Sequence, residues 1–169
     1  MIYVQQKPQM FQIFVDLETT GLNAKKDDIV EFAGIKVIKG EIVESYQQYI
    51  NPSSFIHPKA FASHGLSNAF LSQYPKWSEI QEKIRDFMGN GHFFAYNASF
   101  DSRFLAAKGI NMNRPVMDLL KRARAVLGNK VSNHKLPTVC HYYGIETEFH
   151  SALNDTNVLL QLAKIWGVV

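Results

Sequence analysis

Residues 11–18 read FQIFVDLE, an aromatic and β-branched run carrying two acids one residue apart, and Thr19-Thr20-Gly21 follows as a turn signal. The run reads as a strand from Phe11 to Leu17 closed near Gly21. Alternate side chains of a strand share a face, so Phe14, Asp16 and Glu18 point one way while Ile13, Val15 and Leu17 point the other. The two acids converge, and bare carboxylates held together resist ionising unless a cation lies between them. A strand of this kind either ends in water or carries charge there for a purpose.

The remaining elements limit what such a strand can join. IVEFAGIKVI and EIVESYQQYI flank Lys39-Gly40 and read as a hairpin, which with the first strand makes an antiparallel meander. HPKAFASHGL predicts a short helix begun by Pro58 and stopped at Gly65. SEIQEKIRDFMG predicts a second, with Ser78 as N-cap, Ile80, Ile84 and Phe87 at helical spacing, and Gly89 as its stop. HFFAYN reads as a buried strand, followed by a helix over 99–108. A short strand in PVMDLL runs into KRARAVLG, then come a helix in KLPTVCHYYG and a last helix over 151–166. A meander followed by alternating strands and helices predicts an α/β domain, a mixed sheet covered by helices. No repeat or Pro/Gly/Ser-rich linker divides the 169 residues, so a single domain over 1–169 is expected.

Composition excludes more than it selects. A formal charge of +3 tolerates a polyanionic partner without demanding one. Cys140 is the sole cysteine, which excludes an internal disulfide and a cysteine-built zinc site. The segment MIYVQQKPQM lacks the apolar run of a signal peptide, and no stretch approaches the ~20 apolar residues of a membrane span. The expectation is a cytoplasmic protein with no membrane partner.

Three further residues break the core pattern. In the last helix Asp155 shares a face with Ala152, Leu159, Leu162 and Trp166, either as an acid pointed inward or as part of a wet first turn that complements the helix dipole. Asp101 falls in the first turn after a buried strand, where ligand-binding groups of α/β sheets collect and where an acid is also electrostatically favoured without any ligand. His150 stands just before the last helix, and alone proves little.

Taken together, DLETTG at 16–21, NASFD at 97–101 and HSALND at 150–155 resemble the three motifs of the DnaQ-like, DEDDh-type 3′-5′ exonucleases, among them the epsilon proofreading subunit and the proofreading domain of PolC-type polymerases. HGLS at 64–67 and NHKLPTVCHYYGI at 133–145 extend the resemblance over nearly the whole chain. A related branch places Tyr where Ser151 stands, and the histidine five residues before Asp155 resembles the His-type branch. The resemblance implies a ribonuclease H-like fold, a mixed five-stranded sheet flanked by helices.

It further implies that Asp16, Glu18, Asp101 and Asp155 hold two divalent ions, Mg²⁺ or Mn²⁺, and that His150 is the general base. Hard oxygen donors suit those metals. Thr19, Thr20, Leu22, His64, Asn97 and Phe100 are implied contacts of the terminal nucleotides. Alternatives stay open for several of them. Thr-Thr-Gly suits a turn, Leu22 and Phe100 suit a core, Asn97 suits a helix cap, and the basic run KRARAVLGNK is either a phosphate track or a solvated face. The implied substrate is the 3′ end of single-stranded or frayed DNA, with RNA possible and a DNA polymerase as a possible partner. The other readings are an exoribonuclease of the ribonuclease T or oligoribonuclease type, and a silent module that binds nucleic-acid ends or a polymerase. Epsilon-type proteins carry a C-terminal polymerase tether, whereas the sequence given ends at Val169.

Overall fold

The computed structural model describes residues 10–148 and 151–169. The expectation drawn from MIYVQQKPQM rests on residues almost all outside that range, and His150 lies outside it.

A five-stranded mixed sheet organises the chain. β1 (Gln12–Thr19), β2 (Ile29–Ile38) and β3 (Glu41–Tyr49) form the expected antiparallel meander, and β4 (His92–Ala95) and β5 (Val116–Asp118) extend β1 on its other side in parallel, giving the order β3-β2-β1-β4-β5. Parallel neighbours need crossovers, and the helices supply them. α1 (Pro58–His64), α2 (Asn68–Leu71) and α3 (Trp77–Met88) lead to β4, α4 (Ala98–Ala107) links β4 to β5, and α5 (Leu119–Leu127), α6 (Leu136–Tyr142) and α7 (Ala152–Ile165) complete the chain. Among the described residues no helix is long and apolar enough to cross a membrane.

Most boundaries follow the sequence signals, and the departures have local causes. α3 starts one residue before Ser78, because the Glu79 carboxylate reaches back to accept the Lys76 amide at 2.7 Å and so caps the helix in place of Ser78. β4 stops at Ala95 and the chain turns through Asn97 in the left-handed region (φ 64°), a conformation Asn tolerates better than most residues. Asn97 thus holds the N-cap position of α4 without a side-chain capping bond. α2 is a four-residue helix that the sequence reading passed over.

Each face of β1 is buried in a different core. Ile13, Val15 and Leu17 pack with Ile84 and Met88 of α3 and Phe104 and Leu105 of α4, while Phe14 packs with Phe94, Leu119 of α5, Val139 of α6 and Leu159 and Leu162 of α7. At roughly 25 cal/mol per Å² of apolar area, these layers are the main force holding the sheet between its helices. The face bearing Phe14, Asp16 and Glu18 is therefore the one that α7 covers.

Candidate active site

Backbone geometry decides where the acids collect. β1 pairs with β4 only from Gln12 to Phe14, so beyond Val15 that edge of β1 has no strand beside it. α4 fills the opening: Asp101 accepts hydrogen bonds from its own amide and from that of Leu17. On the other edge the register with β2 shifts between Glu18 and Thr19, a bulge of the kind that re-aims side chains at strand ends. α7 lies across this end of the sheet and contributes Asp155, one turn from its start.

The result is convergence of groups far apart in sequence. Asp16, Glu18 and Asp155 each offer a carboxylate oxygen, and the three atoms lie within 4.8 Å of one another. Asp101 is only 3% exposed and close enough to add to the repulsion felt by Asp16. Burial, then the neighbouring carboxylates of Asp101, Glu18, Asp155 and Glu31, hold the Asp16 carboxyl well above its ordinary range. Burial and the carboxylates of Glu31 and Asp155 push Glu18 up to about 8. Burial likewise raises Asp101, against its backbone hydrogen bonds. Among the described residues, none of the ion pairs involves Asp16, Glu18 or Asp101. A clustered set of hard oxygen donors fits a divalent cation and does not fit a soft-metal site.

A cleft of about 700 Å³ opens beside Glu18. Thr19, Leu22, His64 and Phe100 line it, together with Leu17, Gly21, His57 and Lys59. Leu22 is 82% exposed, so this large apolar side chain stands in solvent at the cleft and is no part of a core. Phe100 does both things foreseen for it: its ring packs on Phe104, 4.9 Å between centroids, and also borders the cleft. His64 Nδ1 accepts from the Leu66 amide at 3.0 Å, which places the ring proton on Nε2, 3.2 Å from the Thr19 carbonyl that accepts it.

Thr20 and Asn97 are not among the residues lining this cleft. Thr20 is fully buried; its hydroxyl accepts from the Asp28 amide at 2.9 Å and lies 2.8 Å from the Ser54 hydroxyl. Thr19 donates to the Gly21 carbonyl at 2.7 Å, which tightens the turn. Gly21 sits at a close approach: a Cβ there would lie 2.5 Å from both the Asp27 carboxylate and the His57 ring and would displace those side chains. Asp28 fastens the turn from outside, taking the amides of Ser53 and Ser54 at 2.9 and 2.7 Å and an ion pair from Lys108 at the end of α4. From the basic run, Arg122 donates to the Trp166 carbonyl at 3.0 Å and so has a packing role.

Two residues at the site were not singled out by sequence. Glu31, 1% exposed, sits directly across from Glu18 on β2. An acid amid IVEFAGIKVI was a visible signal, masked because a meander strand often exposes one face. His57 reaches the cleft beside Asp27, its Nε2 3.3 Å from the Asp27 carboxylate, through a loop geometry that leaves no pattern in sequence.

Comparison with known proteins agrees with this arrangement. The RNase T family model, described as exonuclease, matches residues 13–163. The chain is 35% identical over 150 residues to the PolC-type DNA polymerase III of Bacillus cereus, covering 85% of this chain and 10% of that protein. With the Bacillus subtilis polymerase of the same name it is 33% identical over 163 residues, 90% of this chain and 11% of that one. The chain thus spans about a tenth of the length of these relatives. A solved structure of exonuclease X with 5′-overhanging duplex DNA superimposes with a TM-score of 0.74 at 25% identity, covering 92% of this chain and 93% of that one. Escherichia coli exonuclease I with a dT13 oligonucleotide gives 0.80 at 20% identity, over 93% and 41% of the two chains, and shares the fold.

Proposed function

The chain belongs to this exonuclease family, and from that premise we propose that it removes nucleotides from the 3′ end of single-stranded or frayed DNA, as in proofreading or repair, with the acid cluster as its metal-dependent centre. The observation that carries the reading is the meeting of Asp16, Glu18 and Asp155, with Asp101 close by, at the wall of a nucleotide-sized cleft. The DNA-bound state of exonuclease X and the polymerase identity of the curated relatives favour DNA over RNA.

In this reading Asp16, Glu18, Asp101 and Asp155 hold two Mg²⁺ or Mn²⁺ ions. Such ions, when bound, supply an activated water and offset charge on the phosphoryl and leaving 3′ oxygens. His150 takes a proton from the attacking water at its imidazole, whose ordinary pKa of about 6.5 makes it a workable base at neutral pH. Phe100 and Leu22 hold the terminal base by apolar contact, and Thr19 and Gly21 bring the turn's backbone against the sugar. The carboxylates also exclude a phosphate from resting in their midst without a counter-charge, which a bound divalent cation would supply. A DNA polymerase is the proposed partner.

Matched digestion of 5′-labelled DNA and RNA oligonucleotides with Mg²⁺, Mn²⁺ or EDTA, beside Asp16→Ala protein, tests this. Stepwise shortening of DNA that needs metal and Asp16 is the expected result. Shortening confined to RNA replaces the substrate, and metal-independent or absent cleavage returns the chain to an end-binding module.

A further inference from the structure

We propose that Glu31 is a positioning residue that holds the first turn of α7, and with it Asp155, over the acids of β1. The proposal rests on the metal-centre reading above and assigns a fifth carboxylate a role distinct from ligation.

α7 begins without help from its own N-cap, for the Ser151 side chain makes no capping bond. The first amides of a helix have no partner within the helix and need one elsewhere. Glu31 provides it across the fold, accepting the Ala152 amide at the first helical position. Its Oε1 atom meanwhile accepts from Gln47 Nε2 on β3 at 2.7 Å. One side chain therefore joins β2, β3 and the start of α7. Asp155 lies three residues beyond Ala152, on the same turn that this bond secures.

The arrangement carries an electrostatic cost that packing alone does not explain. Glu31 faces Glu18 across the strand pair and repels both Glu18 and Asp155. An apolar side chain of similar size would fill the same space without that repulsion, but it would leave the Ala152 amide buried and unpaired. A carboxylate at a helix start also complements the helix dipole. Placed there, it fixes the height of Asp155 relative to Asp16 and Glu18 before any metal arrives.

The test compares wild type, Glu31→Ala, Glu31→Gln and Gln47→Ala by Mn²⁺ calorimetry and by hydrogen exchange at the Ala152 amide, well below the unfolding temperature. A helix-capping contact of this kind predicts about tenfold weaker Mn²⁺ binding and about tenfold faster exchange for Glu31→Ala. Glu31→Gln, which keeps an oxygen acceptor, should stay within about threefold of wild type in both. If Glu31→Ala does not fold, the Gln47→Ala protein carries the comparison, with a smaller loss of the same sign. Unchanged exchange at Ala152 in the alanine variant overturns the proposal, as does Glu31→Gln failing to retain Mn²⁺, which would make Glu31 a ligand. Wild-type protein that binds no Mn²⁺ overturns the metal-centre reading instead, and the exchange data still decide whether Glu31 secures α7.

Discussion

On one side of Glu18, carboxylates from β1, α4 and α7 crowd together against their own repulsion; on the other lies an open and largely apolar cleft bounded by Leu22, His57, His64 and Phe100. The first region is expensive to assemble and is held by buried backbone bonds and a helix start. The second is bordered by side chains that stand largely in solvent, Leu22 and His57 above all. Under the proposed function the first region would carry the chemistry and the second the substrate affinity, so variants in the two regions should separate kcat from KM.

The comparison breaks first at Asp16. Asp16→Ala removes the acid at the centre of the cluster and should abolish metal-dependent turnover on a labelled oligonucleotide, a larger loss than that of any cleft variant. His150→Ala should lower kcat by ~10² to 10⁴ while calorimetry finds Mn²⁺ binding largely intact. Near-wild-type turnover in Mg²⁺ would remove His150 from the base role. Across Glu18 the expectation reverses: Phe100→Ala should raise KM roughly 5- to 100-fold, the loss of one base–aromatic stack, with kcat nearly unchanged. A fall in kcat with constant KM would mean that Phe100 serves the acid cluster through α4.

A smaller effect sharpens the electrostatic half. Glu18 is raised from 4.5 to about 8, so between those values the folded protein binds more protons than the unfolded chain. Stability of the metal-free protein should therefore fall as pH rises from about 5 to 8, read as a declining Tm, and Mn²⁺ should restore it most at the upper end. A flat profile would mean that the carboxylates are relieved in another way. The smallest change is expected of His57→Ala, about two- to fivefold in KM, because one exposed cleft residue contributes on the scale of a surface contact.

The parts of this site that could be read in advance were those governed by short-range periodicity. Period two put Asp16 and Glu18 on one face, and they share it; helical spacing put Asp155 on the buried face of α7, where it is 7% exposed. Asp101 needed more, since the reason it reaches the cluster is that β4 parts from β1 after Phe14. Glu31 escaped notice because its meaning depends on an amide far along the chain. Thr20 shows the reverse difficulty: its motif position suggested the substrate side of the turn, but its hydroxyl is committed to Asp28 and Ser54. Local patterns reveal which side chains share a face; they carry no information about which distant backbone groups arrive to meet them.

Asp28, gripping the segment before α1 and the far end of α4 at once, has a mechanical consequence. The jaws that carry His57 and Phe100 are cross-braced behind the Thr19–Thr20 turn, so their aperture is set when the chain folds.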